Sequence, residues 1–400
     1  MAKKHVKKQV RKETKMKVSK NPLISEASLP LSPRGEALFV GIDLGTCRAS
    51  IAASNGIREV VPTYVGYPRD NISEELFGAE PLFGELALKH RLSVELVRPL
   101  AHGVIRDGSK GGKNKNLVAA QQLVRHLLQR ARPKSNGPVY GVIGAPARAS
   151  IASKRILIDA ARGILDAVMI VSEPFAVAYG LGLLDRALVI DIGAGTVDLC
   201  RLHGTLPEEQ DQITLDEAGD FVDEKLSSLI QKKHPKAQFN VNMVRTLKEQ
   251  HGFVSENADS VKARFPVEGR PKDFDITNEL RTACRSIVPG IIDSIARLIA
   301  TYDPEFQEAI RSNVILAGGG SQMIGLPTLV DQGMEELGGG RVTRVEEPVF
   351  AGANGALKMA QRMPRHFWKI LRGDNKVIVG IRGDNKVVVG NRRTRVGKGV

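Results

Sequence analysis

The sequence lacks the features of a secreted or membrane-spanning protein. Its 400 residues include only three cysteines, Cys47, Cys200 and Cys284, which lie far apart and form no C-x-x-C pair. This pattern excludes a disulfide framework and a zinc site of the usual spacing, so we expect three free thiols. No apolar run approaches the roughly 18–20 residues that a membrane-spanning helix requires, and the N-terminus has no apolar signal-peptide centre. We therefore expect a cytoplasmic protein with no transmembrane segment.

The positive charge of the chain is concentrated at its two ends. Hydrophobic residues make up 42% of the sequence, enough for two domains or one large two-lobed domain. Of the net charge of +14, residues 1–20 carry +8 and residues 362–400 carry +9, which leaves −3 for residues 21–361. A slightly acidic body argues against a DNA-binding domain, whereas the basic tails suit an anionic partner such as lipid, nucleic acid or an acidic protein. The alternative is that both tails are solvated and disordered.

A short repeat lies in the C-terminal tail. The decapeptide LRGDNKVIVG at 371–380 is followed at once by IRGDNKVVVG at 381–390. Gly-Asp-Asn favours a turn and Val-Ile-Val favours a strand, so each unit could form a turn and a short strand. Because two units are too few for a stable repeat array, we expect them to order on a partner or not at all.

A longer internal repeat indicates a nucleotide site. LFVGIDLGTCRASIAAS, from Leu38, and ALVIDIGAGTVDLCRL, from Ala187, each combine an apolar strand, an aspartate, glycines and a second strand, with Asp43 corresponding to Asp191. This differs from a Walker loop, in which the glycines lead into a helix. Glycines in a hairpin turn let backbone N–H groups approach an anion, and the carboxylate can hold hydrated Mg²⁺. We therefore predict two related domains whose hairpins hold the phosphates of one nucleotide.

Three further segments suit the same nucleotide site, in a cleft between the two domains. SNVILAGGGSQMIGL, 312–326, predicts a strand, three glycines that let a flat adenine or a ribose phosphate lie against backbone, and a helix with Ser321 near its start. TLKEQHGFV, 246–254, predicts a helix that carries Lys248 and Glu249. VSEPFAVAYGLGLL, 171–184, places Glu173 at a strand-to-helix corner, with Pro174 suited to a helix start. A carboxylate at that corner could orient an attacking water.

Together these motifs resemble the superfamily of ATPases that includes actin, heat-shock chaperones and sugar kinases. GIDLGT, SEPFAVAYG, DIGAGTVD, TLKEQHG and LAGGGSQMIGL occur in the order typical of that superfamily. RPLAHGVIRD, 98–107, is similar to a segment of the bacterial cell-shape actins, and VVPTYVGYPRD, VIGAPARAS and GALKMAQRMPRHFW are similar to the magnetosome actins. The resemblance covers about residues 38–368, and neither basic tail is part of it.

The resemblance implies an ATP site with Mg²⁺ and a role for each matching residue. Asp43, Asp191 and Asp198 would face the metal through water, and Glu173 with Asp191 would be catalytic, Glu173 by positioning the hydrolytic water. The nucleotide-binding residues would be Gly45, Thr46, Cys47, Gly193, Ala194, Gly195, Thr196, Lys248, Glu249, Gly318, Gly319 and Gly320. Cys47 stands where many relatives carry serine or another small polar residue, which removes a hydroxyl contact to phosphate.

By resemblance, the protein is a filament-forming ATPase that aligns and positions magnetosomes, with itself as the main partner. The basic tails would contact the magnetosome membrane or an acidic adaptor protein, and no specific nucleic acid is expected. The runner-up is a cell-shape or plasmid-segregation filament. A chaperone-like ATPase is disfavoured because only a 32-residue tail follows the ATPase body, and no sugar or acetate pocket for a small-molecule kinase is identified.

We predict an α/β, actin-like two-domain ATPase fold with duplicated mixed sheets flanked by helices and a nucleotide cleft between them. The predicted parts are a basic tail at 1–36, domain I at 37–184 with an insertion near 63–100, domain II at 185–350 with an insertion near 225–280, a C-terminal helix at 351–368 that returns to domain I, and a basic tail at 369–400. The segment ACRSIVPGIIDSIARLIATY predicts a single helix with Ile287, Ile291, Ile295 and Leu298 on one face, which predicts core packing.

Overall fold

The computed structural model describes residues 37–106, 114–132, 137–256, 259–372, 378–381 and 387–389. The strands are β1 (Leu38–Leu44), β2 (Arg48–Ala53), β3 (Arg58–Pro62), β4 (Val65–Pro68), β5 (Leu82–Phe83), β6 (Val94–Val97), β7 (Leu100–Ala101), β8 (Val104–Ile105), β9 (Val139–Ala145), β10 (Ala167–Ser172), β11 (Asp185–Ile192), β12 (Val197–His203), β13 (Gln212–Leu215), β14 (Lys262–Val267), β15 (Arg270–Asp275), β16 (Val314–Ala317), β17 (Val342–Arg344), β18 (Ile378–Ile381) and β19 (Val387–Val389).

The helices lie between these strands. They are α1 (Asn71–Phe77), α2 (Gly84–Lys89), α3 (Lys115–Ala131), α4 (Ile151–Ala161), α5 (Glu173–Leu181), α6 (Gly219–Lys233), α7 (Val241–His251), α8 (Thr277–Arg285), α9 (Val288–Ala300), α10 (Pro304–Arg311), α11 (Leu326–Gly333), α12 (Ala351–Arg362) and α13 (Arg365–Arg372). In the described part of the chain, no helix is both long enough and apolar enough to cross a membrane.

Two five-stranded mixed sheets share one topology. The first has the order β10-β9-β1-β2-β3 and the second has the order β13-β12-β11-β16-β17. In each sheet a central strand pairs antiparallel with the strand that follows it and parallel with a later one: β1 with β2 and β9, and β11 with β12 and β16. Asp43 of β1 and Asp191 of β11 occupy equivalent positions near the ends of these strands. The predicted duplication of mixed sheets is confirmed.

Helices α5 and α12 pack between the two sheets. The apolar cluster around them combines Phe39 and Val142 of the first sheet with Ala187 and Val189 of the second. A Cβ at Gly355 of α12 would overlap the carbonyl oxygen of Ala176 in α5, so only glycine permits this close approach of the helix axes. The shared cluster therefore joins the two lobes beneath the cleft, and each lobe has its own core beyond it.

Each lobe carries a smaller substructure. In the first lobe, β5-β4-β6 form a three-stranded sheet with α1 and α2, and Tyr64, Leu82, Ala87 and Val94 form its apolar cluster. In the second lobe, β14 and β15 form a hairpin near α6, α7 and α8. The predicted single helix around Pro289 is two helices, because α8 ends at Arg285 and α9 begins at Val288. The prediction that Ile287, Ile291, Ile295 and Leu298 belong to the core is confirmed, because all four are buried.

The C-terminal segment continues beyond the predicted end at residue 368. Trp368 of α13 stacks on Tyr140 with ring centroids 5.1 Å apart, and Leu371 is buried, so the helix packs as far as that residue. Within the decapeptide repeat, β18 and β19 pair antiparallel as two short strands. The predicted tail at 1–36 lies outside the described residues, as do 373–377, 382–386 and 390–400.

Candidate functional site

Two hairpin turns face each other across the cleft between the lobes. The turn between β1 and β2 contains Gly45, Thr46 and Cys47, and the turn between β11 and β12 contains 193–196. The hydroxyl of Thr63 donates to the Gly45 carbonyl at 2.8 Å, which fixes the first turn. In the second turn, the Gly193 amide donates to the Thr196 carbonyl at 2.9 Å. Hydrogen bonds thus fix the backbone of both turns, and the glycines line the cavity without side chains.

A short hairpin formed by β7 and β8 contacts both turns. The amide of Gly103 donates to the Thr46 hydroxyl at 2.8 Å, and His102 Nδ1 lies 3.2 Å from the Gly195 carbonyl oxygen. A Cβ at Gly195 would overlap the Thr46 hydroxyl and lie 2.9 Å from the His102 backbone. The two turns therefore touch each other only because residue 195 has no side chain.

A cavity of about 270 Å³ lies between the turns. It is lined by almost the whole predicted set: Asp43, Gly45, Thr46, Cys47, Glu173, Asp191, Gly193, Ala194, Gly195, Thr196, Lys248, Glu249, Gly318, Gly319 and Gly320. The lining also includes residues that the sequence analysis did not identify: Arg48, Ser50, Gly103, Gly219, Gly252, Gln322, Met323, Pro348 and Val349. A larger cavity of about 600 Å³ near Phe175 and Met359 has a mainly apolar lining and none of the predicted residues. The carboxylates and glycines of the smaller cavity make it the candidate site.

Asp198 is the one predicted site residue that does not line the cavity. It lies directly opposite Asp191 in the β11–β12 pair, but its Oδ1 accepts hydrogen bonds from the Ala147 amide at 2.7 Å and from the Thr214 hydroxyl at 2.6 Å. The structure therefore gives Asp198 a role in joining the β9–α4 connection to the second sheet.

The carboxylates around the cavity repel one another and are removed from water. Burial raises the pKa of Asp43 to about 6. Burial also raises the pKa of Asp191 and of Glu173 well above their usual ranges, and in both cases the charge of Asp43 contributes. A nearby cation would relieve this cost by stabilising the ionised forms. The cavity therefore favours the binding of a cation.

The oxygen donors fit a hydrated magnesium ion. No group of three or more His, Cys, Asp or Glu side chains among the described residues is arranged to coordinate a metal directly. Mg²⁺ prefers oxygen ligands and usually keeps several of its waters when it binds one or two carboxylates and phosphates. Asp43 and Asp191 both line the cavity, so these two carboxylates suit that mode of binding.

Glu173 reaches the cavity from the start of a helix. It is the first residue of α5 and follows β10 directly, with Pro174 next to it. A Cβ at Gly144 of β9 would lie 3.0 Å from Glu173 Cγ, so the glycine leaves space for this side chain. The predicted strand-to-helix corner is confirmed.

The opposite end of the cavity carries Lys248, Glu249 and the glycine run. Both charged residues lie on α7, as predicted, and Glu249 forms an ion pair of 2.6 Å with Arg48 of β2. Gly318 has φ +74°, a left-handed conformation that favours glycine. The predicted helix start at Ser321 is wrong in detail, because a 3₁₀ turn spans Gly319–Gln322 and α11 begins at Leu326. The buried Ser321 hydroxyl donates to the Gly318 carbonyl at 2.7 Å and stabilises this turn.

We expect the binding of a magnesium nucleotide to release protons near pH 6. The folded pKa of Asp43 lies above its unfolded value, so the unliganded protein loses stability as pH rises through about 6. A bound cation lowers the pKa of Asp43. The affinity for the magnesium nucleotide should therefore increase from pH 5 to pH 7, by up to about ten-fold per pH unit for each proton released. Calorimetric titration of Mg-AMPPNP in buffers of different ionisation enthalpy measures the proton release. Asp43→Asn is the control and should reduce it, whereas equal release by both proteins would contradict the assignment.

Comparison with known proteins identifies the family. The family model described as MreB/Mbl protein matches residues 37–366. Actin-like protein MamK of Paramagnetospirillum magneticum is 38% identical over 334 residues, which cover 84% of this chain and 95% of that protein.

Solved structures agree with this result. The MamK double helical filament has a TM-score of 0.79 and 38% identity, covering 82% of this chain and 100% of that one. A non-polymerising MamK mutant bound to AMPPNP has a TM-score of 0.63 and 37% identity, covering 82% of this chain and 99% of that one. Because the family model covers most of the chain and MamK is 38% identical over 84% of it, the chain belongs to the MreB/Mbl family of bacterial actin-like proteins.

Proposed function

We propose that the protein binds and hydrolyses ATP in the cleft and that ATP binding drives its assembly into filaments. The observation that carries the proposal is the cavity between the two hairpin turns, in which all the predicted nucleotide-binding residues meet. The AMPPNP bound to a MamK mutant supports nucleotide binding by the same fold. ATP is the proposed nucleotide on the strength of that likeness.

Each part of the cavity has a proposed role in the reaction. The turn amides around Gly45 and Gly195 bind phosphate oxygens, and Asp43 and Asp191 hold hydrated Mg²⁺. The metal, when bound, neutralises phosphate charge. Glu173 orients the attacking water, while Lys248 and Glu249 contact the ribose and 318–320 contact the adenine. Phosphoryl transfer needs positioning and electrostatic stabilisation more than covalent chemistry, which this set of residues supplies.

Filament formation and the link to magnetosomes are proposed from the relatives. MamK itself forms a double helical filament. We propose that this chain forms a homopolymeric cytoskeletal filament in the cytoplasm. The filament would align and position magnetosomes along its length. A cell-shape or plasmid-segregation filament is the alternative within the same family.

The domain division that the sequence predicts is also proposed here. Domain I would span 37–184 and domain II 185–350, with the small sheet β5-β4-β6 and the hairpin β14-β15 as the respective insertions. The packing of Leu371 supports extending the returning C-terminal segment from 368 to 372.

Phosphate release measured across protein concentrations tests the function. We expect turnover per subunit to be low in dilute protein and to rise steeply above a critical concentration, because assembly completes the catalytic arrangement. A chaperone-like ATPase or a small-molecule kinase would show constant turnover per subunit. That result would contradict the filament proposal while leaving ATP hydrolysis intact.

We propose that the basic tails bind an anionic surface, either the magnetosome membrane or an acidic adaptor protein. Residues 1–20 carry +8, and residues 373–400 carry +5 from seven basic and two acidic residues. These tails should bind vesicles that contain anionic lipid, and about 0.5 M salt should abolish binding because it shortens the Debye length. Vesicle co-sedimentation of the full chain and of residues 37–372 measures this. The shorter protein keeps the buried Leu371, so its C-terminal helix should still pack against the body. Equal binding by both proteins would contradict the role of the tails.

A further inference from the structure

A connected set of charged and hydroxyl groups crosses the cleft beside the cavity. This network consists of Tyr64 and Arg98 from the first lobe and Asp220, Asp223, Arg245 and Lys248 from the second. The side chains of Arg245 and Lys248 are only 11% exposed and that of Asp223 only 1%, so water competes weakly for these contacts.

Arg245 of α7 is the centre of this network. Its Nη1 donates to the Tyr64 hydroxyl at 2.9 Å, across the cleft. Its Nε donates to Asp223 Oδ2 at 2.9 Å, and its Nη2 lies 3.0 Å from Asp220 Oδ1. A planar guanidinium can meet three partners at once in this way, which a lysine ammonium on a flexible chain cannot reproduce. Arg245 therefore links the first lobe to two carboxylates of α6.

Asp223 connects this centre to the nucleotide cavity. Its Oδ1 forms an ion pair of 2.6 Å with Lys248 Nζ, and the same ammonium donates to the Gly219 carbonyl at 2.6 Å. Lys248 and Gly219 both line the cavity. The position of the Lys248 ammonium is thus set by a carboxylate that also holds Arg245.

A second path reaches the hairpin turn between β1 and β2, which contains Thr46. Arg98 Nη2 forms an ion pair of 2.8 Å with Asp220 Oδ2, and Arg98 Nε donates to the Thr46 carbonyl at 3.0 Å. Asp220 also contacts Arg245, so both paths share one carboxylate. The network therefore joins the Thr46 turn, Lys248 and Tyr64 in one set of contacts.

We propose that Tyr64, Arg245 and Asp223 are positioning residues that couple closure of the two lobes to retention of the nucleotide. This inference rests on the proposed nucleotide binding and adds residues that do not line the cavity. When the lobes separate, Arg245 loses its hydrogen bond to Tyr64. Asp223, which contacts Lys248, and Asp220, which contacts the Thr46 turn through Arg98, are then aligned less well. A nucleotide that binds Lys248 favours the closed arrangement, and by linkage the closed arrangement retains the nucleotide.

The test compares two tyrosine-to-phenylalanine variants of the full chain. Tyr64→Phe removes the bond across the cleft, whereas the control Tyr67→Phe removes a bond to Gln122 within the first lobe. A fluorescent ATP derivative is bound with Mg²⁺ below the assembly concentration and displaced by excess unlabelled ATP. We expect Tyr64→Phe to raise the dissociation rate about five- to ten-fold, the usual effect of losing one intramolecular hydrogen bond, and Tyr67→Phe to stay within about two-fold.

A double-mutant cycle separates this coupling from general destabilisation. Arg245→Lys keeps a cation beside Asp223 but cannot span both lobes, so it should also speed dissociation. In that background Tyr64→Phe should add less than about two-fold, because the partner of the hydroxyl is already gone. The thermal midpoints of both tyrosine variants without nucleotide should be similar.

Three outcomes would overturn the inference. Equal dissociation rates for Tyr64→Phe and Tyr67→Phe, or the same increment in both backgrounds, would overturn it alone. A wild-type protein that does not bind the probe would overturn the proposed function, and this inference with it. If Arg245→Lys does not fold, the comparison of Tyr64→Phe with Tyr67→Phe decides the inference by itself, because neither substitution removes a charged group.

Discussion

Replacement of Glu173 by alanine is expected to slow ATP hydrolysis by about 10²- to 10⁴-fold while ATP still binds, the usual range for loss of a residue that handles the attacking group. Glu173 lines the cavity from the start of α5 and lies outside both hairpin turns. Burial, together with the charges of Asp43, Asp198 and Asp191, raises the pKa of Glu173, as expected for a carboxylate in a catalytic cleft. Single-turnover phosphate release and ATP titration separate hydrolysis from binding.

The same variant should form filaments that persist. If hydrolysis is the timer for disassembly, Glu173→Ala filaments should remain in the pellet long after wild-type filaments have depolymerised. Glu224→Ala, at an exposed position of α6, serves as the matched control and should behave like wild type. Unchanged turnover in Glu173→Ala would remove Glu173 from the mechanism.

Replacement of Gly195 by alanine is expected to weaken nucleotide binding by about 10²-fold without unfolding the protein. The new Cβ would overlap the Thr46 hydroxyl and lie 2.9 Å from the His102 backbone, so the two turns must move apart. Displacement of binding groups by about 1 Å can cost two orders of magnitude at a site that depends on geometry. Equilibrium titration with a fluorescent ATP derivative measures the loss, and circular dichroism checks the fold.

A matched glycine substitution outside the site provides the control. Gly290 lies in α9, and a Cβ there would lie 3.6 Å from Leu215 Cδ1, an ordinary contact distance. Gly290→Ala should therefore bind nucleotide like wild type, and its helix should gain slightly in stability because alanine has the higher helix propensity. Wild-type affinity in Gly195→Ala would show that contact between the two turns is not needed to hold the phosphates.

The sequence could predict the duplicated fold because its signal is local. Asp43 and Asp191 each follow a run of apolar strand residues and precede glycines, so both turns are visible as one motif that occurs twice. Lys248 and Glu173 likewise lie in short motifs on single elements. The backbone shape around a phosphate requires particular residues at adjacent positions, so each motif can be recognised within one short stretch of sequence.

Contacts between distant segments could not be predicted in this way. Asp198 belongs to the second motif, yet its carboxylate binds the amide of Ala147, from a loop of the other lobe. Arg245 and Tyr64 are 181 positions apart, and nothing near either residue indicates the other. The end of α13 also depends on tertiary packing, because Leu371 is buried against elements far away in sequence.

The measurement that tests nucleotide-driven filament assembly most directly is ultracentrifuge pelleting of the purified full chain with and without Mg-ATP, followed by negative-stain electron microscopy of the pellet. We predict ordered filaments that require the nucleotide, with Gly195→Ala remaining in the supernatant at the same ATP concentration. A wild-type protein that hydrolyses ATP but stays soluble and monomeric at all concentrations would contradict the account.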